Sequence, residues 1–372
     1  MSRVLVASDK FKGSLTASEV AVAVGAGVRR VRPDAEICAL PVADGGDGTL
    51  AAFLAAGFTE VSLTATGPTG GQVSTRYARQ GDLAVVEMAD VSGLARLPGS
   101  PDPLRATSRG TGEVLAAAVD AGCRRVVLGI GGSASTDGGA GLVQALGARL
   151  LGADGNDLGA GGAALPGLAT VDLAPLERFA GVRVTVACDV DNPLTGERGA
   201  AAVYGPQKGA DPAQVAALDE ALAHWADMVA SATGADHRNA PGAGAAGGVG
   251  FAAIALLGAE LRSGIALVLD LLGFHERLGG VDLVVTGEGT LDEQTLNGKA
   301  PTGVADAARR ASVPVVAVCG HNTLDEASFA SVGITAAYAL TDLEPDVQRC
   351  MREGASLLER LGERIAAEHL TT

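Results

Sequence analysis

The sequence predicts an α/β protein built as two α/β domains with mostly parallel sheets, and three observations carry that expectation. Short β-branched runs alternate with stretches of helical apolar spacing along most of the chain. Glycine-rich turns follow the strand runs, as they do where parallel strands hand over to covering helices. At 372 residues the chain exceeds the usual single-domain size, so two cores are the default.

Taken in order, VLVAS (4–8) reads as a strand and residues 16–31 as a helix, with Thr16 as N-cap and Glu19 three residues on. EICALPV (36–42) is a second strand, GTLAAFLAA (48–56) a helix and EVSLTAT (60–66) a third strand. GPTGGQ (67–72) interrupts the rhythm, and residues 73–89 read as a hairpin turned at Gln80, Gly81 and Asp82. Helix 111–122, strand 124–130 and short helix 138–148 follow, then a hairpin over 148–158 around Asp154 and Gly155. VRVTVACD (182–189) is a strand ending on an acid. Residues 211–234 form the longest amphipathic helix, opened by Asp-Pro and closed by Gly234. APGAGAAGGVG (240–250) reads either as a linker or as a loop delivering the helix that begins at Phe251. Strand 281–293, helix 298–311, strand 313–320 and an amphipathic stretch over 345–370 complete the chain. No internal repeat is evident. The break near residue 70 and the fresh core strand at 281 divide the chain into a discontinuous Rossmann-like α/β domain (1–70 and 281–372) and an inserted α/β domain (71–280).

Composition narrows the function. A 47% hydrophobic and 19% charged chain without an 18-residue apolar run reads as soluble and globular. The N-terminus lacks the apolar core of a signal peptide, so a cytoplasmic location is expected. Five scattered cysteines without a CxxC pair predict reduced thiols, and five histidines without HxH or HxxxH spacing argue against a histidine metal site. The net charge of −15 disfavours nucleic acid and acidic membranes as partners. Small anions remain admissible, because local lysines, backbone N–H groups or Mg²⁺ reverse the field over short distances.

Ligands of parallel sheets sit beyond the carboxyl ends of the strands, so the polar strand ends matter most. ASDKFKGS (7–14) sets Asp9, Lys10, Lys12 and Ser14 before a helix, where lysines oppose the helix dipole but can hold anionic oxygens. ADGGDGT (43–49) carries Asp44 and Asp47, a hard-oxygen pair suited to Mg²⁺; the alternative is that Asp47 or Thr49 caps the next helix. GIGGSASTDGG (129–139) satisfies GxGxxA at Gly129, Gly131 and Ala134, yet a hairpin follows where an NAD site needs a second parallel strand ending in an acid. What remains there is a phosphate-suited loop with Gly131, Gly132, Ser133, Ser135, Thr136 and Asp137. CDVDNPLTG (188–196) fails as a calcium loop, because Leu194 stands at the glycine position and Ala200 where the bidentate Glu belongs. Asp189 and Asp191 can instead serve as general base, and Asn192-Pro193 makes the turn. TGEGTLDEQTLNGKAPTG (286–303) offers Glu288, Asp292 and Lys299, but GxxxxGK[ST] is not met. No GxSxG exists for serine catalysis.

Taken together, ASDKFKGSLTASEVA, PVADGGDGT, GIGGSASTDGGAG, ACDVDNPLTG, GAAGGVGFA and VTGEGTLDEQTLNGKAPTGVA resemble the bacterial glycerate kinase family of type I. The resemblance runs from residue 7 to about residue 320 and rests on no single motif. It implies ATP-dependent phosphorylation of D-glycerate with Mg²⁺, and an active-site cleft between two α/β domains. Members differ over the hydroxyl phosphorylated, and 2-phosphoglycerate is expected over 3-phosphoglycerate. An NAD-dependent hydroxy-acid oxidoreductase and a non-catalytic small-acid-binding protein are the alternatives. Within the kinase expectation Asp189 or Asp191 is the base and Lys10 assists catalysis. Lys12 and Ser14 hold anionic oxygens, and Gly131, Gly132, Ser133, Ser135, Thr136 and Lys299 meet nucleotide phosphates. Asp137, Asn192 and Glu288 join the binding set, and Asp44 and Asp47 lie near Mg²⁺. Partners are the small molecules glycerate and ATP, without nucleic acid or membrane; a homo-oligomer stays compatible with the sequence.

Overall fold

Apolar, β-branched runs with no charged residue inside them need burial on both faces, and the two largest sheets provide it. A computed structural model describes residues 2–370. Its strands are β1 (Arg3–Ser8), β2 (Glu36–Ala39), β3 (Thr59–Thr66), β4 (Gln72–Gln80), β5 (Leu83–Glu87), β6 (Arg125–Gly129), β7 (Arg149–Gly152), β8 (Leu168–Asp172), β9 (Arg183–Ala187), β10 (Glu260–Arg262), β11 (Leu283–Leu291), β12 (Val315–Asn322) and β13 (Ala336–Ala339). The chain divides into two compact units, Met1–Asp44 with Ala51–Gly57 and Ile265–Thr372, and Gly45–Leu50 with Phe58–Gly264.

The first unit holds a five-stranded sheet ordered β13-β12-β11-β1-β2, parallel throughout. Its order reverses between β1 and β11, which makes the carboxyl ends of those strands the position where such sheets bind ligands. Helix Ala17–Val31 covers it, begun by the expected capping box of Thr16 and Glu19. Val20, Val24 and Val28 of that helix pack with Leu358, Leu361 and Ile365 into one core with Val4, Val6, Val285 and Val316. The amphipathic stretch expected over 345–370 forms two helices, Val347–Arg352 and Gly354–His369, parted at Glu353.

The second unit holds a six-stranded sheet ordered β10-β9-β6-β5-β4-β3. β5, β6, β9 and β10 run parallel, and β4 is antiparallel to both β3 and β5. The hairpin at Gln80 to Asp82 forms as read, with Gln80 opposite Leu83. The expected boundary at residue 70 falls inside the β3-β4 hairpin, because β3 pairs with β4 over its whole length and not with β1 or β2. The hairpin read over 148–158 is also rearranged. The chain turns there, with Leu151 bridged to Asp157, but β7 takes β8 as its antiparallel strand partner in a separate two-stranded sheet.

Helix Pro212–Thr233 starts on an Asp211–Gln214 capping box and ends on left-handed Gly234, as its sequence signals require. Its Trp225 donates to Gly138 O at 3.0 Å and lies fully buried. The 240–250 stretch is no linker. Ala243, Ala245 and Val249 are core residues, and Ala246, Gly247 and Gly248 take left-handed backbone inside the segment Ala245–Leu257. Gly247 needs glycine twice over: its φ is +69°, and a Cβ there would lie 2.0 Å from Ser135 O. The two glycine-rich stretches of the sequence thus pack backbone against backbone, with Gly138 N donating to Gly247 O at 2.9 Å.

Candidate active site

In the first unit, β1 and β11 end side by side, with Ser8 opposite Gly287. Asp9 follows β1, its N–H bonded to Gly287 O at 2.9 Å, and its Oδ1 accepts from Lys10 N at 2.6 Å. Burial pushes the Asp9 carboxyl up to about 7; the Lys10 ammonium opposes this, and Asp44 and Glu288 add to it. Glu288 is 9% exposed and accepts from Thr295 Oγ1 at 2.6 Å. Its pKa is raised, again mainly by burial. Lys299 Nζ lies 3.6 Å from both Glu288 and Asp292, so this lysine is paired with two acids. Lys10, Asp44, Glu288 and Lys299 therefore gather in this unit. Lys12 is exposed, and the Ser14 hydroxyl is directed to Met351 O at 2.8 Å in the packing of the C-terminal helices.

In the second unit, Glu87, Gly129 and Ala187 are aligned at the carboxyl ends of β5, β6 and β9. Glu87 is 5% exposed and accepts from Gly48 N at 3.2 Å and Leu50 N at 2.8 Å, fixing the loop that carries Asp47. Burial pushes its carboxyl up to about 7 against those two bonds, with Asp47 and Asp90 adding to the rise. Gly131 lies against the same loop: a Cβ on it would meet Gly46 Cα at 2.7 Å, a contact only glycine permits. Asp47 is exposed.

The 129–139 loop presents less than its sequence suggests. Ser133, Ser135, Thr136 and Asp137 are all buried, while Gly132 is exposed and Gly131 half-buried. Asp137 Oδ2 accepts from Ser108 N (2.8 Å), Ser108 Oγ (2.9 Å), Gly141 N (3.3 Å) and Thr107 Oγ1 (3.4 Å), and Oδ1 from Gly139 N (3.1 Å). Its carboxylate organises the loop from within. The hydroxyls of Ser135 and Thr136 are buried without a hydrogen-bond partner.

β9 and β10 end beside an open cleft of ≈ 490 Å³ lined by Cys188, Asp189, Val190, Asp191, Asn192 and Ser263. Asp189 Oδ1 accepts from Gly264 N at 3.0 Å, which holds an otherwise exposed carboxylate at the cleft. Asp191 is paired with Arg198 at 3.0 Å. Asn192 is fixed by Tyr204 OH (2.6 Å) and by Arg198 O (2.9 Å).

Three residues of this chemistry carried no assigned role in the sequence reading. Asp9 and Glu87 share the signal that exposed the others, an acid closing a buried apolar strand. Lys208 gives none: it stands in GPQKGA between ordinary turn residues, and lysine is the residue least expected inside. The structure buries it to 2% exposure against Ser133 and Ser135.

Carboxyl ends of mostly parallel sheets, here collecting acids, lysines and glycine turns, are where α/β enzymes bind their ligands. The model of the glycerate kinase family matches residues 4–370. A glycerate kinase of Bacillus subtilis (strain 168) is 44% identical over 370 residues, covering 98% of this chain and 97% of its own. A glycerate 2-kinase of Escherichia coli (strain K12) is 43% identical over 370 residues, with 98% and 97% covered. A crystal structure from Salmonella typhimurium LT2, assigned as a glycerate kinase 2, matches with a TM-score of 0.87 at 43% identity, covering 98% of this chain and 97% of that one. The chain belongs to the glycerate kinase family and is a phosphotransferase acting on an alcohol group. The expected fold class, mixed α/β with mostly parallel sheets, agrees with this relationship. No described helix is long and apolar enough to cross a membrane.

Proposed function

We propose that this enzyme transfers the γ-phosphoryl group of ATP, supplied as its Mg²⁺ complex, to the 2-hydroxyl of D-glycerate in the cytoplasm. The observation that carries the reading is Asp189, a carboxylate fixed by Gly264 N–H at the mouth of a polar cleft at the β9 and β10 ends. A base so held takes the hydroxyl proton as the hydroxyl oxygen bonds to phosphorus, and the bridging oxygen leaves with ADP. Asp191 is engaged instead in an exposed ion pair with Arg198 at 3.0 Å. The name of the Escherichia coli relative, glycerate 2-kinase, supports the 2-position.

Phosphoryl transfer needs positioning and charge neutralisation more than covalent chemistry from the protein. Lys10 and Lys12 would hold anionic oxygens, the Ser14 hydroxyl being engaged by Met351 O; Gly131 and Gly132 would offer backbone N–H groups to phosphate, and Asn192 would line the acceptor site. Glu288 would hold Lys299 toward a phosphate. Ser133, Ser135, Thr136 and Asp137 shape the loop, since all four face inward.

Asp44 and Asp47 are the acids offered to Mg²⁺. Among the described residues no group of three or more His, Cys, Asp or Glu side chains is arranged to hold an ion alone. Either carboxylate could contribute to Mg²⁺ delivered with a nucleotide, since that ion takes one or two carboxylates and completes its shell with phosphates and water. When bound, the ion neutralises charge on the transferring group.

The test is a coupled ADP-release assay over a panel of small hydroxy acids with MgATP, the phosphate position of the product being read by NMR. Release with D-glycerate and a 2-phosphate product is expected. No ADP release with glycerate would overturn the reading, and a 3-phosphate product would overturn its regiochemistry.

A further inference from the structure

The glycine-rich loop 129–139 is held from beneath by a lysine that no strand-end reading finds. Lys208 closes the short turn Pro206–Lys208, followed by left-handed Gly209 and by the Asp211 cap of the long helix. That turn carries its side chain into the interior, where the Nζ donates to Ser135 O at 2.6 Å and Ser133 Oγ at 2.9 Å. A fully buried ammonium is costly unless paired, and a neutral side chain would fill the same slot without that cost. Burial pushes its pKa down to about 7, with the Asp137 carboxylate opposing the fall.

The ties around this ammonium fix much of the inner half of the loop. Lys208 holds residues 133 and 135, Ser92 O takes Ala134 N at 3.0 Å, and Asp137 binds Ser108, Gly139 and Gly141. What this leaves outward is Gly131 and Gly132, the half-buried and exposed residues of the turn. We propose that Lys208 is a positioning residue of this enzyme: its ammonium locks Ser133 and Ser135 so that the Gly131–Gly132 turn presents backbone N–H groups to the anionic oxygens of a substrate. The same positive charge, bonded to Ser133 directly after the turn, favours an anion near it. This rests on the MgATP-dependent reaction proposed above. The anionic oxygens belong either to the phosphates of ATP or to the carboxylate of glycerate, and the arms of the test separate the two.

Lys208→Met keeps the length of the stem and removes the ammonium; Ser133→Ala removes one tie and leaves the lysine buried on Ser135 O. For the first, KM for the substrate served by the turn should rise about tenfold or more, with kcat and the other KM within about threefold. For the second the same KM should rise about threefold. A rise in the KM for ATP assigns the turn to phosphate, and a rise in the KM for glycerate assigns it to the carboxylate. If Lys208→Met does not fold, Ser133→Ala decides alone. A lysine that only supports the fold would lower the thermal midpoint and leave both KM values unchanged in both variants, and that result overturns the proposal. An inactive wild-type enzyme would instead overturn the proposed reaction, so the two failures are distinct.

Discussion

Two carboxylates two positions apart in sequence, Asp189 and Asp191 in CDVDN, receive different surroundings. Asp189 has an oxygen fixed by the Gly264 N–H beside the cleft, whereas Asp191 faces the guanidinium of Arg198 at 3.0 Å. If Asp189 is the base, Asp189→Asn should lower kcat by about 10²- to 10⁴-fold with KM for glycerate little changed, the range general-base removal produces. Asp191→Asn should cost less than about threefold, because a surface ion pair is worth little. Steady-state ADP release measures both, and near-normal turnover in Asp189→Asn would remove the assignment. The sequence allowed no choice between these acids, because partners seven and 75 residues away set their surroundings. Serines and threonine in GIGGSASTDGG teach the same lesson in reverse. Their residue types suit phosphate, but the fold buries all three: the Ser133 hydroxyl accepts from Lys208, and those of Ser135 and Thr136 meet no hydrogen-bond partner.

At the scale of elements, the carboxyl end of β5 ties a strand to a loop. Glu87 accepts from Gly48 N and Leu50 N, and burial raises its carboxyl from 4.5 to about 7. A raised acid pKa means that the folded state keeps a proton which the unfolded state has released. Stability contributed by that proton is present below about pH 4.5 and is lost as pH rises to about 7. The loss is on the order of 3 kcal/mol for this group. Glu87→Gln retains an acceptor and removes the titration, so its thermal midpoint should decline less than that of the wild type between pH 5 and 8. Parallel slopes for the two proteins would show that Glu87 does not titrate in this window. Helix caps and hairpin turns were legible in the sequence because Thr16 with Glu19, Asp211 with Gln214, and Gly81 act on neighbours a few residues away. β8, β10 and β13 were not, being three to five residues long and too short to show a period.

For the whole molecule, each compact unit has its own core, one built on Val4, Val285 and Leu361 and the other on Leu128, Leu142 and Trp225. Two cores predict a calorimetric unfolding enthalpy larger than the van't Hoff value, the mark of departure from two-state behaviour. Coincident values would show that the cores unfold as one. Alternation of strand and helix sufficed for the α/β class, since each period demands its own burial pattern. Five polar strand ends were equally plain, because an acid or lysine closing an apolar run stands out wherever the chain leads. The sequence by itself thus determined the class, the strand-end chemistry and the family resemblance. Only the tertiary structure decided that β3 joins the second sheet, that 240–250 packs on 129–139, that Glu87 holds the Asp47 loop, and that buried Lys208 bonds Ser133 and Ser135. Each of these depends on residues dozens of positions apart meeting in three dimensions, where burial and hydrogen bonding set a role that local composition does not encode.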